Sequence, residues 1–424
     1  MAGSASVNVW WRQGGSSVRL QPFRAVRPKP ELVSEVASVP YDVVNRSEAA
    51  ELARGKPHSF LHVGRSDIDL PGDTDPHDPR IYSKAREALD EFLAQGVLIR
   101  DEEPALYVYR QTMEGRAQTG VVGCVHIDDY ERDIIRKHEK TRPDKEDDRT
   151  RHVLTLNAQA EPVFLTYRGQ GDIETLMEPV LNTPPLYDFA ADRVRHTVWR
   201  VADPAPWVEA FRAVPYAYVA DGHHRSASAW RAGRERQAAN PKHRGNEEYN
   251  WFLAVLFPAS ELAILPYNRV VRDLAGKTPA EVLAELNRVG RVTPAAQPRP
   301  RRPGSFCVYL AGAWHLVELD EKTIDRRDPI GSLDVSLIQD RVLGPILGIG
   351  DPRTDKRIDF VGGIRGTAEL ARRVDSGEMA IAFSLYPTTL DQLMAVSDAG
   401  AVMPPKSTWF EPKLRSGLFV HELE

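Results

Sequence analysis

Asp221-Gly222-His223-His224-Arg225 puts an acid, a glycine, two imidazoles and a guanidinium in five consecutive positions. The apolar run Tyr216 to Ala220 precedes it and reads as a strand. HHRSASAWRAGRERQAA follows and reads as a helix. A strand, a tight glycine turn and a helix N-terminus together make an anion site. The first N–H groups of a helix lack intrahelical partners and carry the positive end of its dipole. Gly222 has no Cβ, so backbone can approach a phosphate closely. Arg225 offers a planar fork that matches phosphate oxygens. Asp221 would repel a bare phosphate, so it reads better as a Mg²⁺ ligand or as a group orienting a histidine. The competing reading is a plain Asp-Gly turn with two surface histidines. Zinc fits poorly, because neighbouring helix residues point about 100° apart and HExxH and HxxxH spacings are absent.

The elements that position these residues belong to a chain of 424 residues, long enough for two or three domains. Hydrophobic residues are 42% and charged residues 27%, as in ordinary globular proteins. A net charge of −5 disfavours a surface that coats nucleic acid. Cys124 and Cys307 form no CxxC pair and read as buried free thiols of a reducing cytoplasm. The opening MAGSASVNVWWRQGG lacks the apolar core of a signal peptide, and no apolar run of membrane-spanning length occurs. A cytoplasmic location is expected.

Asn45 or Ser47 is placed to cap a short helix ending near Gly55, and Tyr82 to Gln95 is amphipathic. ALYVYRQTM and TGVVGCVHI flank the turn EGRAQ as a hairpin. The charged stretch Asp128 to His152 reads as a helix and loop broken at Pro143. PVFLTY, VRHTVWRV, YAYVA, WFLAVLF and ELAILPYNRVV are further strands, giving a β-rich first region over 1–272. The order of strands and helices over 273–400 suits a smaller α+β sandwich. Residues 401–424 read as an irregular tail packing back toward the core or site. The fold class is α+β.

The chain resembles the prokaryotic family called domain of unknown function 1015. The resemblance rests on SVPYDVV, HEKTRPDKEDDR, PVFLTY, ADGHHR, ILPYNRVV and MPPKSTWFEPKLRSGL, in that order along nearly the whole length. The family's DGHHR element is similar to that of free-serine kinases, which share a fold with the nucleotide-binding core of ParB proteins and with sulfiredoxins. The resemblance therefore implies a ParB/sulfiredoxin-like core. It also implies phosphoryl transfer from ATP or ADP, with Mg²⁺, to a small hydroxyl acceptor such as free L-serine. Asp221, Gly222, His223, His224 and Arg225 match the phosphate-holding turn. The chain departs just downstream, where Ser226-Ala227-Ser228 stands in place of an aromatic-acidic pair.

Such a reaction needs charge neutralisation, alignment and an acceptor for the hydroxyl proton. Glu139 and Asp42 are the candidate bases, with His224 as a further catalytic candidate. Glu139 lies in a charge run that a solvated helix also explains, and Asp42 in a turn where an aspartate can simply bond backbone N–H groups. Arg149 and Lys406 are candidate phosphate contacts. His138, Thr141, Asn268 and Arg269 are candidate substrate contacts, Arg269 alternatively pairing with an internal acid. MPPKST is no Walker A loop, since it lacks glycine before the lysine and its prolines have no N–H. The alternatives are a nucleotide-binding switch of ParB type and a phosphohydrolase. The expected partners are nucleotide and an amino-acid-like substrate, without membrane or nucleic acid. A homodimer is left open.

Overall fold

The structure is a computed structural model describing residues 17–424, so the opening MAGSASVNVWWRQGG lies outside the described residues. The chain forms two compact units. The first comprises the chain up to Arg136, Thr141–Glu261 and Pro412–Glu424. The second comprises Lys137–Lys140 and Leu262–Glu411.

The first unit is built on a nine-stranded mixed sheet. Its strands are β1 (Leu20–Gln21), β2 (Tyr107–Met113), β3 (Arg116–His126), β4 (Ile135–Arg136), β5 (Val163–Tyr167), β6 (Tyr187–Ala191), β7 (Val194–Arg200), β8 (Ala217–Asp221) and β9 (Trp251–Pro258). Their order is β4-β8-β5-β9-β3-β2-β7-β6, with β1 beside β3. The β4–β8 and β5–β9 pairs are parallel. Every residue of β5 and β9 is buried. Their unbroken apolar runs are those of strands covered on both faces. The β2–β3 turn is shorter than EGRAQ. Met113 pairs with Arg116 across Glu114 and Gly115, both at positive φ, the two-residue geometry that matches strand twist. Arg116 and Ala117 are the exposed start of a strand.

The same unit contains the helices α1 (Arg46–Ala53), α2 (Pro79–Ala94), α3 (Pro143–Leu156) and α4 (His223–Ala239). Asn45 closes a capping box with Glu48 on α1. Ile81, Ala85, Ala88, Leu89 and Phe92 form the buried stripe of α2. Pro143 does not break a helix, as its sequence position suggests, but begins one. In the first turn its missing N–H has no intrahelical partner to lose. A second, four-stranded sheet orders Leu98–Arg100, Ala25–Pro28, Val420–Glu422 and Ala158–Gln159, which ties the C-terminal residues into this unit.

The second unit carries a six-stranded antiparallel sheet. Its order is Gly290–Pro294, Ala313–Leu319, Ser305–Leu310, Ile381–Leu385, Tyr267–Val271 and Ile358–Gly362. The strand Tyr267–Val271 thus lies inside this sheet, not in the first region where the sequence pattern places it. The division between units accordingly falls at Glu261/Leu262, and the tail divides at Glu411/Pro412. Apolar alternation identifies a strand without saying which sheet it joins. The chain is of mixed α and β structure with several sheets. Both cysteines are buried and free. No described helix is long and apolar enough to cross a membrane.

Candidate functional site

In the first unit, the last residue of β8 is Asp221 and the first of α4 is His223. Against β5 the register slips by one residue at Ala220, because Val219 faces Leu165 while Asp221 faces Phe164. A bulge of this kind re-aims the side chain that follows it. Gly222 caps the helix at φ 92°, ψ 36°, a conformation that glycine adopts without steric cost. A Cβ at Gly222 would sit 3.1 Å from Arg225 Nε. Arg225 therefore folds back onto the turn that precedes it. Gly222 offers no side-chain cap to the 17-residue helix.

Arg225 is 8% exposed and holds three segments. Its Nη1 donates to Pro162 O at 2.6 Å. Its Nη2 donates to Asp221 Oδ2 at 2.7 Å and to Asp42 Oδ2 at 3.2 Å. Burial opposes the charge on Arg225, but Asp42 and Asp221 outweigh it and keep the guanidinium ionised. The other Asp221 oxygen accepts from Lys413 Nζ at 3.0 Å. Burial raises the Asp221 pKa, yet Lys413 and Arg225 hold it well below the usual carboxylate range. Asp221 does not fit the expected Mg²⁺ role, since both of its oxygens face cations. Among the described residues no three acidic, histidine or cysteine side chains cluster as a metal site.

Asp42 sits on the short 3-10 turn Tyr41–Val43. Arg149 stacks 4.3 Å over the Tyr41 ring and bonds Asp148 Oδ2 at 2.8 Å, so its fork, like that of Arg225, is bonded within the protein. Glu161 was not anticipated from the sequence. Its Oε1 accepts from Tyr41 N at 3.2 Å and from Ser416 Oγ at 2.9 Å. Burial pushes the Glu161 carboxyl up. Tyr41, Arg149, His152, Glu161 and Arg225 line a cavity of about 40 Å³. That is room for a water or two, not for a nucleotide. An anion would therefore have to meet the turn from outside this cavity. A larger cleft of 370 Å³ in the same unit is lined by Ser38, Lys56, His58, Asp192 and Arg415 among others, and by none of the turn residues.

His223 is buried. His224 Nε2 accepts from the N–H of Arg142, the residue that precedes α3, at 3.2 Å. That contact assigns the proton to Nδ1. Thr141 Oγ1 donates to Glu146, which engages the hydroxyl expected to meet substrate. Ser226 and Ser228 are fully buried and bond carbonyls of the turn behind them, Gly222 O and His224 O among them. Both serines thus lie inside the packing of α4. Gly233, further along the helix, has its missing Cβ position 2.5 Å from Tyr249 O.

His138, Glu139, Asn268, Arg269 and Lys406 belong to the second unit. His138 is buried, and its carbonyl accepts from Met403 N at 2.8 Å. Asn268 Oδ1 accepts from Leu385 N at 3.1 Å, a backbone role. Arg269 is 3% exposed and donates to the carbonyls of Tyr267 and Lys406. Among the described residues no acid pairs with it, and burial lowers its pKa to about 9. Lys406 lies at φ 56° with its ammonium 5.5 Å over the Tyr267 ring.

The first unit thus brings Asp42, Arg149, Asp221, Gly222 and Arg225 together and adds Glu161, Tyr41 and Lys413. Lys413 stands in one sequence marker, and Glu161 directly before another. Neither lies near the turn in sequence.

A family model described as "Protein of unknown function (DUF1015)" matches residues 20–336. No curated protein matches the chain. Among solved structures, a free serine kinase mutant in complex with AMP aligns at 11% identity and TM-score 0.34, covering 70% of this chain and 91% of that one. SbnI with a C-terminal truncation, from Staphylococcus aureus, aligns at 12% identity and TM-score 0.37, covering 71% and 87%. A conserved hypothetical protein from Pyrococcus furiosus aligns at 12% identity and TM-score 0.34, covering 70% and 94%.

Proposed function

We propose, for a chain that belongs to the DUF1015 family, a nucleotide-dependent small-molecule kinase. It moves a phosphoryl group from ATP or ADP to a hydroxyl acceptor, with free L-serine the first candidate and O-phosphoserine the product. The first unit is read as its ParB/sulfiredoxin-like core. One observation carries the reading: a left-handed glycine opens a long helix without a side-chain cap, and a buried arginine returns to that glycine. This is what an oxyanion needs, namely N–H donors and dipole on one side and a guanidinium beside them.

In this reading the N–H groups at the start of α4 and the Arg225 guanidinium hold the phosphates. Lys413 keeps Asp221 ionised and occupied, so that Asp221 orients Arg225 without competing for the nucleotide. Asp42 is the base, favoured over Glu139 because it touches Arg225 within the same compact unit. The acceptor hydroxyl gives its proton to Asp42 while its oxygen bonds to the terminal phosphorus. The bond from that phosphorus to the bridging oxygen breaks, releasing AMP from ADP or ADP from ATP. Positioning and charge stabilisation supply the rate. Mg²⁺ supplies charge neutralisation when it arrives on the nucleotide, and the residues of the turn do not hold it in advance. Residues of the second unit are not used in this reading.

The test is product analysis of purified protein with ATP or ADP, Mg²⁺ and a pool of amino acids. Phosphoserine supports the kinase. Nucleotide turnover indifferent to every amino acid supports a phosphohydrolase, and tight binding without turnover a switch.

A further inference from the structure

Two buried polar atoms of opposite character in the wall of the small cavity have no hydrogen-bond partner among the described residues: Arg225 Nε, a donor, and Glu161 Oε2, an acceptor. Glu161 is held in place by everything around it. Its other oxygen fixes Tyr41 N–H, and through it the turn that carries Asp42. Ser416 of the tail bonds the same oxygen. A Cβ on Gly64 would lie 3.0 Å from that oxygen, so the glycine leaves the space that the carboxylate needs. The charged and titratable groups facing it are Arg225 from α4, Arg149 and His152 from α3, and Tyr41 and Asp42 from the 3-10 turn.

The charges of this cluster do not favour an incoming anion. Arg225, Arg149 and Lys413 stand against Asp42, Asp221, Asp148 and Glu161. A phosphate group docked on Arg225 adds negative charge next to a carboxylate that is already poorly solvated. Of these acids, Asp221 and Asp148 are anchored by cations, and Asp42 pairs with Arg225. Glu161 alone has an oxygen that is both buried and unpartnered.

We infer that Glu161 is a proton-linked positioning residue, which holds the Asp42 turn through Tyr41 N–H and takes up one proton when a phosphate group occupies the Gly222–Arg225 turn. The inference rests on the nucleotide reading of that turn. The proton comes from solvent, bonds to a Glu161 oxygen and cancels one negative charge beside the ligand. Burial already raises the affinity of Glu161 for a proton, and the added phosphate charge raises it further. Uptake therefore occurs above the free protein's pKa and below that of the complex. In that window ADP affinity falls as pH rises.

The experiment is calorimetric titration of the full chain with ADP in buffers of different ionisation enthalpy, on wild type and Glu161→Gln. Protons belonging to ADP itself cancel in the difference between the two proteins. Wild type is expected to take up about one more proton per ADP than Glu161→Gln at its maximum, where linkage makes the affinity change up to about tenfold per pH unit. The glutamine variant is expected to keep or gain affinity with a flatter pH profile. Ser416→Ala, which deletes only a hydroxyl donor to Glu161, should move the pH midpoint of uptake upward. Equal proton counts in wild type and Glu161→Gln, with ADP bound by both, would overturn the inference and leave the nucleotide reading intact. An unmoved midpoint in Ser416→Ala would likewise remove the assignment to Glu161. No ADP binding by wild type would overturn the nucleotide reading and this inference with it.

Discussion

Asp42 and Arg225, 183 residues apart in sequence, meet at 3.2 Å. The same guanidinium nitrogen also holds Asp221 at 2.7 Å. One arginine thus ties the 3-10 turn to the helix start. Arg225→Ala leaves Asp42 and Asp221 facing each other without their shared cation. The Asp42 and Asp221 side chains keep 36% and 27% exposure, so solvent screens part of the loss and stability should fall by about 1–3 kcal/mol. ADP affinity or turnover should fall by about 10²-fold or more, as lost oxyanion donors commonly cause. Arg225→Lys keeps the charge and loses the fork, so it should recover stability better than binding. Denaturant unfolding and ADP titration on the two variants check both outcomes, and unchanged ADP affinity and turnover in Arg225→Ala would remove the assigned role.

Gly222→Ala tests the turn itself. At φ 92° an alanine is strained, and its Cβ would press on Arg225 Nε at 3.1 Å. The expected loss is about 1–2 kcal/mol of stability, with weaker ADP binding because the guanidinium must move. Ser226→Ala, one helical turn on and buried, serves as the comparison and should leave ADP binding close to wild type.

The two candidate bases separate kinetically. Asp42→Asn should lower turnover by about 10²–10⁴-fold, the usual range for a lost general base, with nucleotide affinity retained. Glu139→Gln should leave turnover within a few-fold. The opposite ranking would return the base to Glu139.

Acid should destabilise this protein from well above the carboxylate range. His126, His152 and His196 are buried, and burial lowers the pKa of each to about 3. Their unfolded values lie near 6.5. The unfolded chain therefore binds these protons first. The stability they contribute is complete above about pH 6.5 and is lost as pH falls toward 3. Each contributes about 2 kcal/mol of destabilisation at pH 5. Urea midpoints at pH 7.5 and pH 5 measure the effect. His152→Gln, which keeps a donor toward Val63 O, should remove one histidine's share of the pH dependence. Identical midpoints at the two pH values would contradict the prediction.

Local features of the fold were legible in the sequence. The apolar run before Asp221 and the helix-forming run after it marked the strand–glycine–helix unit, because strand period and turn chemistry are encoded within a dozen residues. The same holds for the Asn45 cap and the amphipathic helix α2. Pairing across the chain was not legible. Tyr267–Val271 reads as a strand in either unit, and only its ladders with Ile358–Gly362 and Ile381–Leu385 assign it. Glu161 and Lys413 look like ordinary charged residues beside a proline. Their proximity to Arg225 and Asp221 depends on sheet register and on the return of the C-terminal residues, which no local pattern reports. The internal partners of Arg149 were not legible either. Its sequence neighbour Asp148 and the distant Tyr41 ring together occupy it.

A crystal structure of the full chain grown with ADP tests the phosphate-holding turn most directly. It should place phosphate oxygens against the N–H groups of His223 and His224 with Arg225 turned toward them. A turn free of phosphate while ADP is bound elsewhere, or walled off so that no anion reaches Gly222, would contradict it.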